Sequence, residues 1–144
     1  MIEIVVSIPH SGTRFLKERL SIDAHVHTNI FGWDALIRET KGKKLVAPLR
    51  DPQAVWKSTV RRYNKWDATD NISNFFNSWF MMHALSLIRD IEFIPVDLQI
   101  SDRITDWTPV GGEEDQCNTK CYPTCLRRIY VLPFVQKYYP INRG

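Results

Sequence analysis

"IVVSIPHSGTRFLKERL", residues 4–20, passes from an apolar run through Pro9-His10-Ser11-Gly12-Thr13-Arg14 into a stretch with helical spacing. Residues 2–8 are β-branched and nearly all apolar, as a strand buried on both faces requires. Pro9 ends that strand, and residues 11–20 suit a helix with Phe15, Leu16 and Leu20 as its apolar stripe. A tight turn between a strand and a helix aims several backbone N–H groups at one point, and the helix dipole adds positive potential there. Gly12 lets the backbone approach closely, while Ser11 and Thr13 add hydroxyls. Arg14 adds a forked cation, whose charge-assisted contacts with an oxyanion are worth about 1.5–3 kcal/mol each. The Gly-Lys-Ser/Thr ending of an ATP or GTP loop is missing, which disfavours a magnesium–triphosphate site. An ordinary strand–helix turn has the same outline, so this loop alone does not decide the matter.

A second element changes the weighing. In "LVAPLRDPQAVWKSTVRR", residues 45–62, a core strand over 44–49 delivers Arg50 to its carboxyl end. Asp51 is suited to cap a following helix and Pro52 to its first turn, with the helix running to about residue 66 and Ser58 two turns along it. Ligands of open α/β sheets bind outside the carboxyl ends of the strands, so Arg50 and the first loop would border one crevice. Two basic, hydroxyl-bearing turns suggest a ligand with two separated phosphate-like groups.

The remainder alternates in the same manner. Residues 24–30, with His25 and His27, suit a short strand or extended segment, and the two imidazoles would share a face. "ATDNISN", residues 68–74, reads as a loop with cap signals, "FFNSWFMMHALSLIRD" (75–90) as an apolar helix and "IEFIPVDL" (91–98) as a third buried strand. Residues 101–124 read as a long loop, the expected place for a lid or insertion, and 132–139 as a closing helix. Strands alternating with helices imply βαβ units and a parallel sheet covered on both faces, a three-layer α/β/α arrangement in one domain over 1–144.

Composition fits that class. The chain has 144 residues, 44% apolar and 24% charged, with a net charge of +3 that suits a small anion better than a nucleic-acid duplex. No apolar run approaches the eighteen or so residues of a membrane span, and the start lacks the basic region and cleavage site of a signal peptide, so the expected setting is the cytoplasm without membrane attachment. Cys117, Cys121 and Cys125 are odd in number, and a zinc site would need a fourth ligand that no nearby His or Cys supplies. With Pro123 opposing a regular helix, they read as free thiols in a loop. Phe31, Trp33, Trp79, Phe80 and Trp107 could line an aromatic acceptor pocket, although core packing is the commoner use of such residues. His83 reads as structural.

The ordered pair of turns resembles the sulfotransferases that use 3′-phosphoadenosine-5′-phosphosulfate. Their first signature, a strand followed by Pro-Lys-Ser-Gly-Thr-Thr-Trp-Leu, corresponds here to Pro9-His10-Ser11-Gly12-Thr13-Arg14-Phe15-Leu16. Their second, Arg-Asn/Asp-Pro with a Ser eight residues after the Arg, corresponds to Arg50-Asp51-Pro52 and Ser58. Asp97-Leu98 matches the end of a later family strand, and "LPFVQKYYP" is similar to the closing helix of short microbial members. The resemblance implies a P-loop-like fold of the nucleoside-triphosphate-hydrolase type. It implies that His10, Ser11, Gly12, Thr13, Arg14 and Phe15 hold the 5′-phosphosulfate and that Arg50 and Ser58 grip the 3′-phosphate. Transfer of the sulfuryl group to a hydroxyl or amine acceptor would leave adenosine 3′,5′-bisphosphate, with no metal required.

The family carries a histidine base between its two signatures, an interval occupied here by His25 and His27. His27, nearer the end of its segment, is the preferred counterpart. The family's loop lysine is replaced by His10, whose protonated imidazole, or else Arg14, would stabilise the leaving phosphate. The chain also lacks the Arg-Lys-Gly and Gly-Asp-Trp elements of the cytosolic enzymes and is shorter, which leaves the acceptor site open or completed by a second copy in a homo-oligomer. Two other readings stand beside this one: a nucleotide or small-molecule kinase with a degenerate loop, and a nucleotide-binding protein that has lost transfer.

Overall fold

A computed structural model describes residues 2–9, 11–28, 32–62, 68–96 and 122–140. The first strand, β1 (Glu3–Ser7), lies in the interior of a four-stranded, wholly parallel sheet with β2 (His25–His27), β3 (Lys44–Leu49) and β4 (Ile91–Pro95). The order is β2-β1-β3-β4. Helix α1 (Thr13–Leu20) connects β1 to β2, and α2 (Gly32–Thr40) returns the chain past β1 to β3. Helices α3 (Pro52–Arg62) and α4 (Ala68–Ile88) lead on to β4, while α5 (Tyr122–Tyr130) and the short α6 (Pro133–Gln136) close the described chain.

Side-chain alternation sorts the sheet into two faces. Ile4, Val6, Ile8, Val26, Leu45, Ala47 and Leu49 face the larger core, with Leu36 from α2, Val55 and Trp56 from α3, Trp79 and Met82 from α4, and Ile129 from α5. Val5 and Val46 point the other way, where they meet Leu16 of α1 and Ile22, with half-buried Ile94 beside them. Helices therefore cover both faces of the parallel sheet, compatible with the expected three layers. On the second face, α1 is the single helix among the described residues that contributes to the core. Burial of a Leu or Val side chain contributes roughly 1.5–3 kcal/mol, so fully buried Val5 and Leu16 bind this layer to the sheet.

The end of α1 shows how the second face is sealed. Ser21 takes a left-handed conformation at φ 54°, its N–H donates to Glu18 O, and the Ile22 N–H donates to Lys17 O at 3.0 Å. This is the paired closure of a Schellman motif, and Ile22 then packs in the same cluster as Leu16 in the last turns of the helix.

Several expectations need correction. Residues 68–74 belong to α4 rather than a loop, because Asp70 and its polar neighbours occupy a first turn, where acidic and hydroxyl side chains are tolerated. Helix α2 was not foreseen, its register resting largely on buried Leu36 and Thr40. Cys125 falls on α5, not in a loop, since Pro123 stands in the first turn where its missing N–H costs nothing. The closing helix is shorter than expected and begins at Pro133. Among the described residues, no helix is long and apolar enough to cross a membrane.

Candidate functional site

The chain steps from β1 to β2 on one side, then crosses back to β3 on the other, so the strand order reverses between β1 and β3. Crevices at such reversals, outside the carboxyl ends of the strands, are where parallel α/β sheets take ligands. The register pairs Ile4 with Leu45 and Val5 with Val46. Continued along the strands, it sets Pro9 level with Arg50, on strands about 4.8 Å apart. The two turns singled out in the sequence are thus neighbours at the reversal.

The first turn is built largely from its own groups. The Ser11 N–H donates to Ile8 O at 3.1 Å, and the Ser11 hydroxyl donates to the same carbonyl at 2.5 Å. Gly12, at φ 104° and ψ 30°, redirects the chain into α1, a conformation costly for any side-chain-bearing residue. Its carbonyl accepts from the Leu16 N–H at 3.0 Å, and no side chain caps the helix. The Thr13 hydroxyl turns inward and donates to Ser7 Oγ at 2.7 Å. Ser11 and Thr13 therefore shape the loop from beneath, while the Arg14 side chain is exposed at its rim and Phe15 is half-buried. His10 lies outside the described residues.

The second turn is fastened by the C-terminal helices. Asp51 caps α3: its carbonyl accepts from the Val55 N–H at 3.0 Å and its Oδ1 from the Gln53 N–H at 3.2 Å. The Tyr130 hydroxyl of α5 donates to the same carboxylate oxygen. The Tyr139 hydroxyl donates to Leu49 O at 3.4 Å, and the Val96 N–H donates to that carbonyl at 2.9 Å. Arg50, half-buried between these anchors, is held at the end of β3. Ser58 is also half-buried, six residues into α3 from Pro52 and so about 9 Å farther along the axis.

The two histidines of β2 share a face, as alternation requires, with ring centroids 5.2 Å apart. Their surroundings differ. His25 is exposed, and its Nδ1 lies 3.0 Å from Lys17 Nζ of α1. His27 is half-buried beside the first turn, with Nδ1 2.9 Å from Ser7 Oγ. Burial holds the His27 imidazole below its ordinary value of 6.5; His25 and Lys17 push in the same direction, and a hydrogen bond with the Ser7 backbone opposes them. At neutral pH the imidazole is uncharged. The next residue, Thr28, anchors the strand end by donating to Ser78 O of α4 at 2.9 Å.

Ser7 and Tyr130 were missed in the sequence reading. Ser7 has a legible signal, a hydroxyl set in an apolar strand two residues beyond Val5 on the same face. Tyr130 has none, because 79 residues separate it from Asp51.

Among the proposed acceptor-pocket aromatics, Trp79 is fully buried, stacked on Phe134 at 6.2 Å and edge-on to Phe75, and belongs to the core. Trp33 and Phe80 are exposed. Phe31, Asp97, Leu98, Trp107, Cys117 and Cys121 lie outside the described residues. Comparison with protein-family models, curated proteins and solved structures gives no match.

Proposed function

We propose that the chain transfers a sulfuryl group from 3′-phosphoadenosine-5′-phosphosulfate to a hydroxyl or amine acceptor, on a P-loop-like sulfotransferase scaffold. The observation that carries this reading is the adjacency of the two turns at the strand-order reversal, with a neutral histidine hydrogen-bonded beneath the first. Residues 10–15 would cradle the 5′-phosphosulfate, with His10 and Arg14 countering charge on the leaving phosphate. Arg50 and Ser58 would fix the 3′-phosphate. The acceptor oxygen or nitrogen attacks sulfur as the bond from sulfur to the 5′-phosphate breaks, and His27 takes the acceptor's proton. Positioning and fixed charge supply most of the rate in such a scheme.

Calorimetric titration tests the donor. Adenosine 3′,5′-bisphosphate should bind, and magnesium–ATP should bind far more weakly; the reverse preference favours a kinase. Arg50→Ala should weaken the bisphosphate by about 30- to 100-fold, the equivalent of a strong charge-assisted contact, while leaving 5′-AMP unchanged. Equal loss of both nucleotides would refute the assignment of the 3′-phosphate to Arg50.

A further inference from the structure

We infer that Ser7 is a positioning residue through which an anion in the first turn chooses which nitrogen of His27 carries the proton, an inference that rests on the transfer reading above. Thr13, Ser7 and His27 form one line of hydrogen bonds, 2.7 Å from Thr13 Oγ1 to Ser7 Oγ and 2.9 Å from there to His27 Nδ1. They come from three elements, the start of α1, the end of β1 and the end of β2. Ser7 is fully buried, and a buried hydroxyl in an apolar strand is costly unless bonded on both sides.

A hydroxyl has one proton to give. With Thr13 donating to Ser7, the Ser7 proton goes to Nδ1, and a neutral His27 then keeps its own proton on Nε2. In that arrangement Nε2 has no lone pair with which to accept a proton. An anion only accepts hydrogen bonds. An anion that draws the Thr13 O–H away from its present bond to Ser7 leaves the Thr13 oxygen open to a bond from Ser7, Ser7 open to a bond from Nδ1–H, and every donor in the line pointing towards the loop. The hydroxyls rotate, and the imidazole releases its Nε2 proton to solvent while taking one from solvent at Nδ1, with no change in net charge. Nε2 is left with the lone pair. Occupancy of the loop therefore converts His27 from a donor into a base. Among the described residues, His25 from β2 and Lys17 from α1 are the other titratable groups acting on His27, and they bond to each other outside this line.

The experiment is long-range nitrogen–proton NMR of ¹⁵N-histidine-labelled protein at pH 7.5, with and without saturating adenosine 3′,5′-bisphosphate, binding being followed calorimetrically on the same samples. His27 should pass from the Nε2–H to the Nδ1–H form on binding. Ser7→Ala should bind the bisphosphate yet show no such switch, and Thr13→Ser, which keeps the hydroxyl, should show it. Binding with an unmoved tautomer overturns the relay alone, as does an intact switch in Ser7→Ala. Absence of binding overturns the transfer reading, and the relay falls with it.

Discussion

Replacing Tyr130 by Phe removes one hydroxyl from the bond that ties α5 to the cap of α3. A hydrogen bond to a charged acceptor contributes roughly 1.5–3 kcal/mol. The lower end applies here, because both side chains are half-buried and Asp51 Oδ1 keeps the Gln53 N–H. The expected cost is therefore about 1.5 kcal/mol. With an unfolding entropy of about 2.1 cal/mol/K per residue, a chain of 144 residues loses about 5 °C in Tm for that change. Thermal and urea melts of wild type, Tyr130→Phe, Asp51→Ala and the double variant form a cycle whose coupling should be about 1–1.5 kcal/mol. Additive single effects would show that the two groups do not interact in solution, and the claim that the C-terminal helices fasten the Arg50 turn would fall.

Leu16→Ala should cost about 3 kcal/mol by urea melt, because the fully buried side chain is the main contribution of α1 to its face of the sheet. Ser21→Gly should raise stability by about 0.5–1 kcal/mol, relieving a side chain held in the left-handed region; a loss would mean that the Ser21 side chain has an unrecognised contact. The folded-state value of His27 is lowered, so above 6.5 neither folded nor unfolded chain charges it and the native state suffers no penalty. As pH falls below 6.5 the unfolded chain takes up a proton that the native chain resists, and stability declines until the native value is passed. Melts at pH 7.5, 6.5 and 5.5 should show this decline, and His27→Asn should flatten it; an equal slope in that variant would place the titration elsewhere.

The elements legible in sequence were those in which pattern and propensity agree. β1 is a β-branched run and β3 an apolar one, their ends marked by Pro9 and by Arg50-Asp51; β4 is a strand as expected but not a buried one, because it lies at the sheet edge with Glu92 and Pro95 exposed. The segments misread as loops share one physical ambiguity. Asp70, Asn71 and Pro123 oppose a helix in its interior but are acceptable in a first turn, and only tertiary contact decides where the turn lies. At the site, alternation correctly placed His25 and His27 on one face. It could not separate them, since their difference comes from Ser7 and Lys17 on neighbouring elements. The inward turn of the Ser11 and Thr13 hydroxyls was equally hidden, because a sequence shows that a hydroxyl is present and not which acceptor it meets.

One helix covers its sheet face among the described residues and also begins at the first turn, which couples two properties usually separate. Local opening of α1 uncovers Val5 and Val46 and dismantles the loop in the same event, so that layer should behave as one cooperative unit in amide hydrogen exchange. A ligand at the loop withdraws the open form from the equilibrium. Exchange should then slow throughout α1 and at the β1–β2 ladder by the same factor, while local openings around Trp79 and Ile129 on the far face that leave the loop intact keep their rates.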